Sequence, residues 1–244
     1  MTIIFNLCFF CLMPLPFYVA YYFRRSFYRS KLEALKNYSN AFIFEGLLFL
    51  TLFLPGFIIF DSALVQIDFI LLDIFFLIAI LFFLPATLSL SEKTSRFKKI
   101  TFLTILFWTL IYIFLNIFFF SPATPLKTGD YIYYWQSGVP WLQTITRGLL
   151  FLALLIIAIF FLSGTRTLKE EALSKKSFLI GLSCLIIDVA WFIFCFFPFF
   201  YFSPELLIVS GLLAFSGFAT EAITVFLLFK ASPEPFQAVG LTFK

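Results

Sequence analysis

Long uninterrupted runs of apolar residues are the feature that most constrains how this chain folds. A helix rises about 1.5 Å per residue, so a run of about 20 apolar residues crosses a hydrocarbon core of about 30 Å. Because these runs are continuous and do not alternate with polar residues, they predict helices and not the strands of a barrel. We count seven, of which the fifth is the shortest: Ile3–Phe23, Asn40–Phe60, Phe69–Leu90, Ile100–Phe120, Gly148–Leu162, Phe178–Phe202 and Leu206–Phe229.

The composition supports a membrane protein and excludes most other classes. Of the 244 residues, 62% are hydrophobic and 12% are charged, whereas about 25% are charged in an ordinary soluble domain. The mean hydropathy is +1.05. A soluble domain, a disordered chain and a nucleic-acid-binding module are therefore excluded. The fold class predicted is an all-α integral membrane protein, with a single seven-helix bundle over residues 1–230 and a cytoplasmic tail over 231–244.

The positions of lysine and arginine predict the orientation of this bundle. The first, third and fifth connections and the C-terminal tail hold 15 of the 17 basic residues. The other side holds Lys127 and Arg147. Basic residues favour the cytoplasmic side of a membrane. We therefore expect an external N-terminus, a cytoplasmic C-terminus and a multi-pass location in the plasma (inner) membrane.

A short internal match hints at a duplicated plan. Residues 33–39 read Glu-Ala-Leu-Lys-Asn-Tyr-Ser, and residues 171–177 read Glu-Ala-Leu-Ser-Lys-Lys-Ser. Four of the seven positions are identical, and the two segments precede the second and sixth predicted spans. A parallel repeat of helices one to three in helices five to seven, with the fourth as a linker, is the plan that this match predicts.

Four acidic residues lie within predicted spans and are the first candidates for a functional site. A charged side chain at a helix centre costs about 2.5–3.5 kcal/mol on insertion scales. Asp188 is predicted near the midplane, and Glu221 between the midplane and the cytoplasm, so these two are the primary proton-site or ligand-site candidates. Glu45 and Asp73 are secondary, since each is placed only about 8 Å from a helix end. We expect no basic side chain at comparable depth.

Helical spacing groups further residues with these acids. On the sixth span Trp191 shares a face with Asp188, and on the seventh Thr224 belongs to a stripe of small and polar residues that includes Gly217 and Glu221. Asn116 follows Trp108 and Tyr112 on one face of the fourth span. The fifth span has no polar residue between positions 149 and 162, so it is expected to be the helix most exposed to lipid. The aromatic segment at 129–135 is expected at the outer interface.

These features favour proton-coupled or small-solute transport through buried carboxylates, with Asp188 and Glu221 as the protonatable groups and Trp191, Thr224 and Asn116 beside them. The alternative is a non-catalytic seven-helix sensor, or an accessory subunit of a larger membrane complex. A lipid-modifying enzyme is a third reading, with carboxylates as its only acid–base groups. No catalytic residue is assigned.

No cofactor or metal is predicted. The chain has no histidine, and no second cysteine pair lies near Cys8 and Cys11 to complete a zinc site. The predicted partners are the lipid bilayer and, beyond it, other membrane subunits or further copies of the chain. Nucleic acid is excluded as a partner, because the basic residues are explained by topology.

Overall fold

The structure is a computed structural model that describes most of the chain. It covers Phe10, residues 13–54, 61–90, 92–128, 131–165 and 171–200, and seven positions of the last predicted span: Leu212, Leu213, Ser216, Gly217, Ala219, Thr220 and Ile223. The predicted cytoplasmic tail, residues 231–244, lies outside the described residues, as do Glu221 and Thr224.

The described part is mostly helical, and its elements follow the order of the predicted spans. Helix α1 is Pro14–Ser30, α2 is Glu33–Phe53, α3 is Ser62–Leu88, the single turn α4 is Glu92–Ser95, α5 is Lys98–Phe118, β1 is Thr124–Thr128, β2 is Tyr131–Gln136, α6 is Pro140–Gly164 and α7 is Glu171–Phe200.

Three of these helices, α3, α5 and α6, are long and apolar enough to cross a membrane. They coincide with the third, fourth and fifth predicted spans. In α7 a shorter apolar stretch covers Ser177–Val189. The prediction of a mostly helical protein is confirmed, and three of the described helices are compatible with crossing a membrane.

Several helices begin or end well outside the predicted runs. Helix α3 begins seven residues before Phe69, because the Asp61 carboxylate caps it by accepting hydrogen bonds from the amides of Ala63 and Leu64 at 2.9 and 3.0 Å. Helix α6 begins eight residues before Gly148, with Pro140 in its first turn, where the missing amide hydrogen costs nothing. The apolar runs marked the centres of these helices and missed their polar ends.

The first connection is much shorter than predicted. Helix α1 continues past Phe23 to Ser30, and α2 begins at Glu33. Lys31 turns the chain with a φ of 59°, and its amide donates to the Phe27 carbonyl at 2.7 Å. Three of the basic residues that were assigned to this connection, at positions 24, 25 and 29, are therefore part of α1.

Hydrogen bonds between neighbouring helices show that the first and third connections lie at one end of the bundle. The Ser39 hydroxyl on α2 donates to the Ala20 carbonyl on α1 at 2.9 Å. The Tyr38 and Thr87 hydroxyls join α2 to the last turn of α3 at 3.4 Å. The C-terminal ends of α1 and α3 thus meet the N-terminal end of α2.

The C-terminal end of α6 and the start of α7 lie at this same end. Arg147 of α6 pairs with Asp73 of α3, and Leu154 lines a cavity together with Ile80. Asp73 and Arg147 lie at one level of the bundle, and Ile80 and Leu154, which come later in the same two helices, lie at a second level. The two helices therefore run in the same direction, and both finish at the end of the bundle where the first and third connections lie. The Ser177 hydroxyl then joins the start of α7 to α6 by donating to the Phe161 carbonyl at 2.7 Å.

The second and fourth connections meet at the opposite end. There the Ala123 amide donates to the Ser62 carbonyl at 3.0 Å. The Gln66 carbonyl oxygen accepts from the Ser137 hydroxyl at 3.2 Å and from the Gly138 amide at 2.9 Å. The described connections therefore alternate between two ends of the bundle.

The core is centred on α3, which packs against α2, α5 and α6. Its largest apolar cluster combines side chains of α3 such as Leu72 and Ile80 with side chains of α6 such as Leu150 and Ile157. The expectation that the fifth predicted span is the most lipid-exposed is wrong, because Ile157 and Ala158 of α6 are fully buried. Helix α5 is far more exposed than α6.

The long fourth connection contains a β-hairpin. Strands β1 and β2 pair antiparallel, from Thr124 opposite Gln136 to Thr128 opposite Tyr131, with a register shift between Leu126 and Lys127. The aromatic segment that was expected to lie along the interface is therefore largely a strand, whose backbone hydrogen bonds are made to its neighbour.

Candidate functional site

A buried ion pair joins α3 to α6. The Nε atom of Arg147 lies 3.3 Å from Oδ1 of Asp73. Asp73 is 0% exposed and Arg147 is 4% exposed. A guanidinium remains protonated in proteins, so burial of Arg147 requires an acceptor and a counter-charge, and Asp73 supplies both.

Helix α5 completes the surroundings of this pair. The Tyr112 hydroxyl donates to Oδ2 of Asp73 at 2.7 Å, and the Asn116 amide donates to the Tyr112 carbonyl at 2.9 Å. Both carboxylate oxygens of Asp73 are thus engaged. The three described helices that are long and apolar enough to span a membrane meet at this polar cluster, which we call the Asp73–Arg147 cluster.

One turn of α6 extends the cluster toward α5. The indole nitrogen of Trp108 donates to the Thr146 hydroxyl at 3.3 Å. Trp108, Tyr112 and Asn116 were expected on one face of the fourth span, and each now has a contact on that face. Asn116, a predicted site residue, belongs to this cluster and is 3% exposed.

The cluster corrects the expectation that no basic side chain lies at the depth of the acids. Asp73 is eleven residues from the start of α3, about 16 Å, and not the 8 Å estimated from the apolar run. Arg147 was assigned to a connection because the apolar run begins at Gly148. The missed signal was Pro140, which favours the first turn of a helix and would have placed Arg147 two turns inside it.

Asp188 lies on α7 and forms no ion pair with a basic side chain among the described residues. It is 1% exposed, and its Oδ1 atom has no hydrogen-bond partner among the described residues. The side chain of Trp191, predicted on the same face, lies outside the described residues. Burial of a carboxyl group without a hydrogen-bond partner costs free energy. Among the predicted site acids, Asp188 is therefore the one whose hydrogen-bonding capacity the described residues satisfy least.

The last predicted span contacts α7 one residue before Asp188. A Cβ atom placed on Gly217 would lie 2.6 Å from Cγ1 of Ile187 and 3.1 Å from its backbone nitrogen. Gly217 is buried, whereas Leu212, Ser216 and Ile223 are exposed. Gly217 therefore faces the bundle, as the small-residue stripe predicts. Glu221 and Thr224, the polar members of the stripe, are outside the described residues.

Glu45 lies on α2, apart from the two sites above. It is partly buried and lines a cavity between α2, α3, α6 and α7. The structure thus distributes the predicted acids over separate places. Asp73 and Asn116 share one cluster, Asp188 lies near Gly217, and Glu45 borders the cavity.

A buried acid was missed by sequence reasoning. Asp68, assigned to the end of the second connection, lies within α3 and is 3% exposed. Its Oδ2 atom has no hydrogen-bond partner among the described residues. The Asp61 cap preceding Ala63 was the signal that could have extended α3 backward over Asp68.

Among the described residues, no group of three or more cysteine or acidic side chains comes together. Cys184 is buried and forms no disulfide bond among the described residues, and Cys8 and Cys11 lie outside the described residues. No protein-family model matches the chain, and no curated protein is significantly similar to it.

Proposed function

We propose that the chain is a multi-pass plasma-membrane protein with seven spanning helices, an external N-terminus and a cytoplasmic C-terminus. Three helices of the described part have the length and hydropathy for crossing. The basic connections gather at one end of the bundle, and such connections favour the cytoplasm. These two observations support the topology.

Within this bundle we propose transport of a proton or a small solute by buried carboxylates, with Asp188 as the principal protonatable group. The observation that carries the proposal is the full burial of Asp188 with one oxygen unpartnered among the described residues. Ionisable groups at membrane depth mark ion and proton paths by default. Gly217 brings the last span against the residue next to Asp188, so Glu221 and Thr224, further along that span, are proposed as neighbours of the path.

The Asp73–Arg147 cluster has a different part in this proposal. Its charges compensate each other, and Tyr112 occupies the second carboxylate oxygen. We assign it the role of holding α3, α5 and α6 together while protons move at Asp188. Asn116, through its hydrogen bond to the Tyr112 carbonyl, supports the cluster from α5.

The internal repeat adds support for a transporter plan. Both matching heptapeptides begin a helix, at Glu33 and at Glu171. The last serine of each, Ser39 and Ser177, donates to a backbone carbonyl of the preceding helix. Equivalent residues making equivalent contacts favour a duplicated helical hairpin, and transporters are commonly built from such repeats.

The experiment is proton flux into vesicles that contain the purified full-length chain, followed with a trapped pH-sensitive dye. Asp188→Asn removes the titratable group with little change of shape, and we expect at least a tenfold loss of flux. Glu171→Gln, at an exposed position of the same helix, should leave the flux unchanged. Glu221→Gln tests the second proposed group in the same assay. If proton flux stays at the wild-type level in both Asp188→Asn and Glu221→Gln, the carboxylate path is refuted.

A specific observation favours the accessory-subunit alternative. Helix α5 exposes a continuous apolar face, which comprises Ile100, Leu103, Phe107, Leu110, Phe114 and Ile117. A photo-crosslinking residue at Phe114, used in native membranes, separates the two functions. A discrete protein adduct together with absent flux would favour the subunit, whereas lipid adducts together with flux would favour transport.

A further inference from the structure

Helix α1 presents an exposed stripe that combines tyrosine with arginine. Tyr18, Tyr21, Arg25 and Tyr28 follow one another at spacings of three, four and three residues, so they lie on one side of the helix. The three tyrosines are 43%, 60% and 64% exposed, and Arg25 is exposed as well. Another side of α1 is buried in an apolar cluster shared with α2 and α3. The stripe therefore faces out of the bundle.

Two arginines at this stripe have no compensating charge nearby. Arg25 and Arg29 are both exposed and lie four residues apart, so they are neighbours on the helix surface, where like charges repel each other. Neither forms an ion pair with an acidic side chain among the described residues. The sequence has no acidic residue before Glu33. An anion bound between the two guanidinium groups would relieve their repulsion.

The neighbouring basic side chains divide between the bundle and the stripe. The Arg24 guanidinium points into the bundle and donates to the side-chain oxygen of Asn40 on α2 at 3.0 Å. Lys31, where the chain turns after α1, has its Nζ atom 5.7 Å from the centre of the Tyr28 ring. Its charge therefore adds to that of the two exposed arginines. We call the following residues the α1 basic patch: Tyr21, Arg25, Tyr28, Arg29 and Lys31.

The polarity of this exposed side changes along the helix axis. Toward the start of α1 it carries the rings of Phe17, Tyr18 and Tyr21, and toward the end it carries Arg25 and Arg29. A phospholipid has the same order, with acyl chains followed by a phosphate. Phe17 and Arg25 are about 12 Å apart along the axis, so acyl chains can lie against the rings while the phosphate reaches the guanidinium groups.

We propose that the α1 basic patch binds the headgroup of an anionic phospholipid such as phosphatidylglycerol. The planar guanidinium groups of Arg25 and Arg29 match the oxygens of a phosphate in pairs, and the Tyr28 hydroxyl can donate a further hydrogen bond. Phosphatidylcholine has the same phosphate, but its choline cation is repelled by the three basic side chains. Clusters of lysine and arginine beside a spanning helix favour anionic lipid in general. The inference goes beyond the proposed function and uses from it only the location in a membrane.

The test is native mass spectrometry of the purified full-length chain in detergent, titrated with phosphatidylglycerol or phosphatidylcholine of identical acyl chains. We expect at least tenfold tighter binding of phosphatidylglycerol, and loss of this preference in the double variant Arg25→Gln with Arg29→Gln. Arg25→Lys keeps the charge without the paired donors, so it should weaken phosphatidylglycerol binding at least threefold. The matched control, Lys98→Gln with Lys99→Gln, removes two exposed charges at the same end of the bundle and should bind as the wild type does.

The same titrations can overturn the proposal. Equal affinity of the folded wild-type chain for the two lipids refutes it, and so does an equal loss in the two double variants, because that result indicates a diffuse field and not a site. Inorganic phosphate that displaces phosphatidylglycerol at equal concentration would reject the lipid as the ligand. If the arginine double variant does not fold, Arg25→Lys and the headgroup preference of the wild type decide. Selective lipid binding without proton flux would leave this inference intact and reject transport, whereas flux without selective binding would do the reverse.

Discussion

At the scale of single residues, the Asp73–Arg147 pair determines how the centre of the bundle is held together. Each charge alone would be costly in an apolar interior, and only the pair with its added hydrogen bonds is tolerable. Arg147 approaches one carboxylate oxygen and Tyr112 donates to the other. The pair therefore fixes the relative positions of α3, α5 and α6 at one level.

Removal of one partner should be far worse than removal of both. We expect Asp73→Asn or Arg147→Met to lower the free energy of unfolding by about 3–5 kcal/mol, because a buried group is left unpaired. The double variant Asp73→Leu with Arg147→Met should recover much of that loss. Stability is measured by reversible unfolding in detergent or bicelles.

The exposed pair Glu171–Lys175, with Nζ and Oε1 2.7 Å apart, provides the control. Its loss should change the unfolding free energy by less than about 0.5 kcal/mol. Equal effects of Asp73→Asn and Lys175→Ala would contradict the structural role assigned to the buried pair.

Residues could be predicted from the sequence where their chemistry stands out from an apolar background. Asp188 was identified because an acid near the middle of a long apolar run is unusual. Asp73 was identified for the same reason, but its partner was not, since Arg147 precedes the run that marks its helix. Which acid meets which base depends on packing across 74 positions of sequence, and a single sequence contains no such information.

At the scale of elements, α6 has one buried face and one exposed face, and its uniformly apolar composition does not distinguish them. Ile156 is 48% exposed, while its neighbour Ile157 is 0% exposed and lies in the main apolar cluster. The run from Leu149 to Leu162 is apolar on all sides. No contrast between polar and apolar residues was present to indicate which side faces inward, so the burial of this helix could not be predicted.

The adjacent isoleucines give a matched test of this arrangement. Ile157→Ala should lower the unfolding free energy by about 2–5 kcal/mol, because it leaves a cavity in a packed core. Ile156→Ala should cost less than about 1 kcal/mol, because lipid tails replace the lost contacts. Both are measured by the same unfolding assay. If the two variants lose stability equally, α6 is not oriented as described.

The β-hairpin had a sequence signal that was not used to predict strands. Gly129 and Asp130 separate two short segments, the second rich in tyrosine and isoleucine, and this pattern is typical of a β-turn between strands. The aromatic content was used only to predict a position at the outer interface, which stays a prediction. Aromatic residues favour both settings, and only the turn residues distinguish them.

At the scale of the whole molecule, the alternation of connections between two ends can be tested directly. We expect a membrane-impermeant thiol reagent to label Thr128→Cys only from outside intact cells, in a variant whose native cysteines are replaced. The same reagent should label Ser174→Cys only after the cytoplasmic side is exposed. These sites lie in β1 and near the start of α7, at opposite ends of the bundle. Labelling of both sites from one side would refute the proposed orientation and span count together.

The position of Arg147 has a consequence for biogenesis. Synthesis proceeds from the N-terminus, so α3 with Asp73 is made before α6. An arginine within a helix adds about 2.5–3.5 kcal/mol to the cost of insertion at the centre of the membrane. The counter-charge for Arg147 is already in place 74 residues earlier in the chain. On the proposed topology we therefore expect insertion to be sequential, because the fifth predicted span would depend on the third to enter the membrane at its lowest cost.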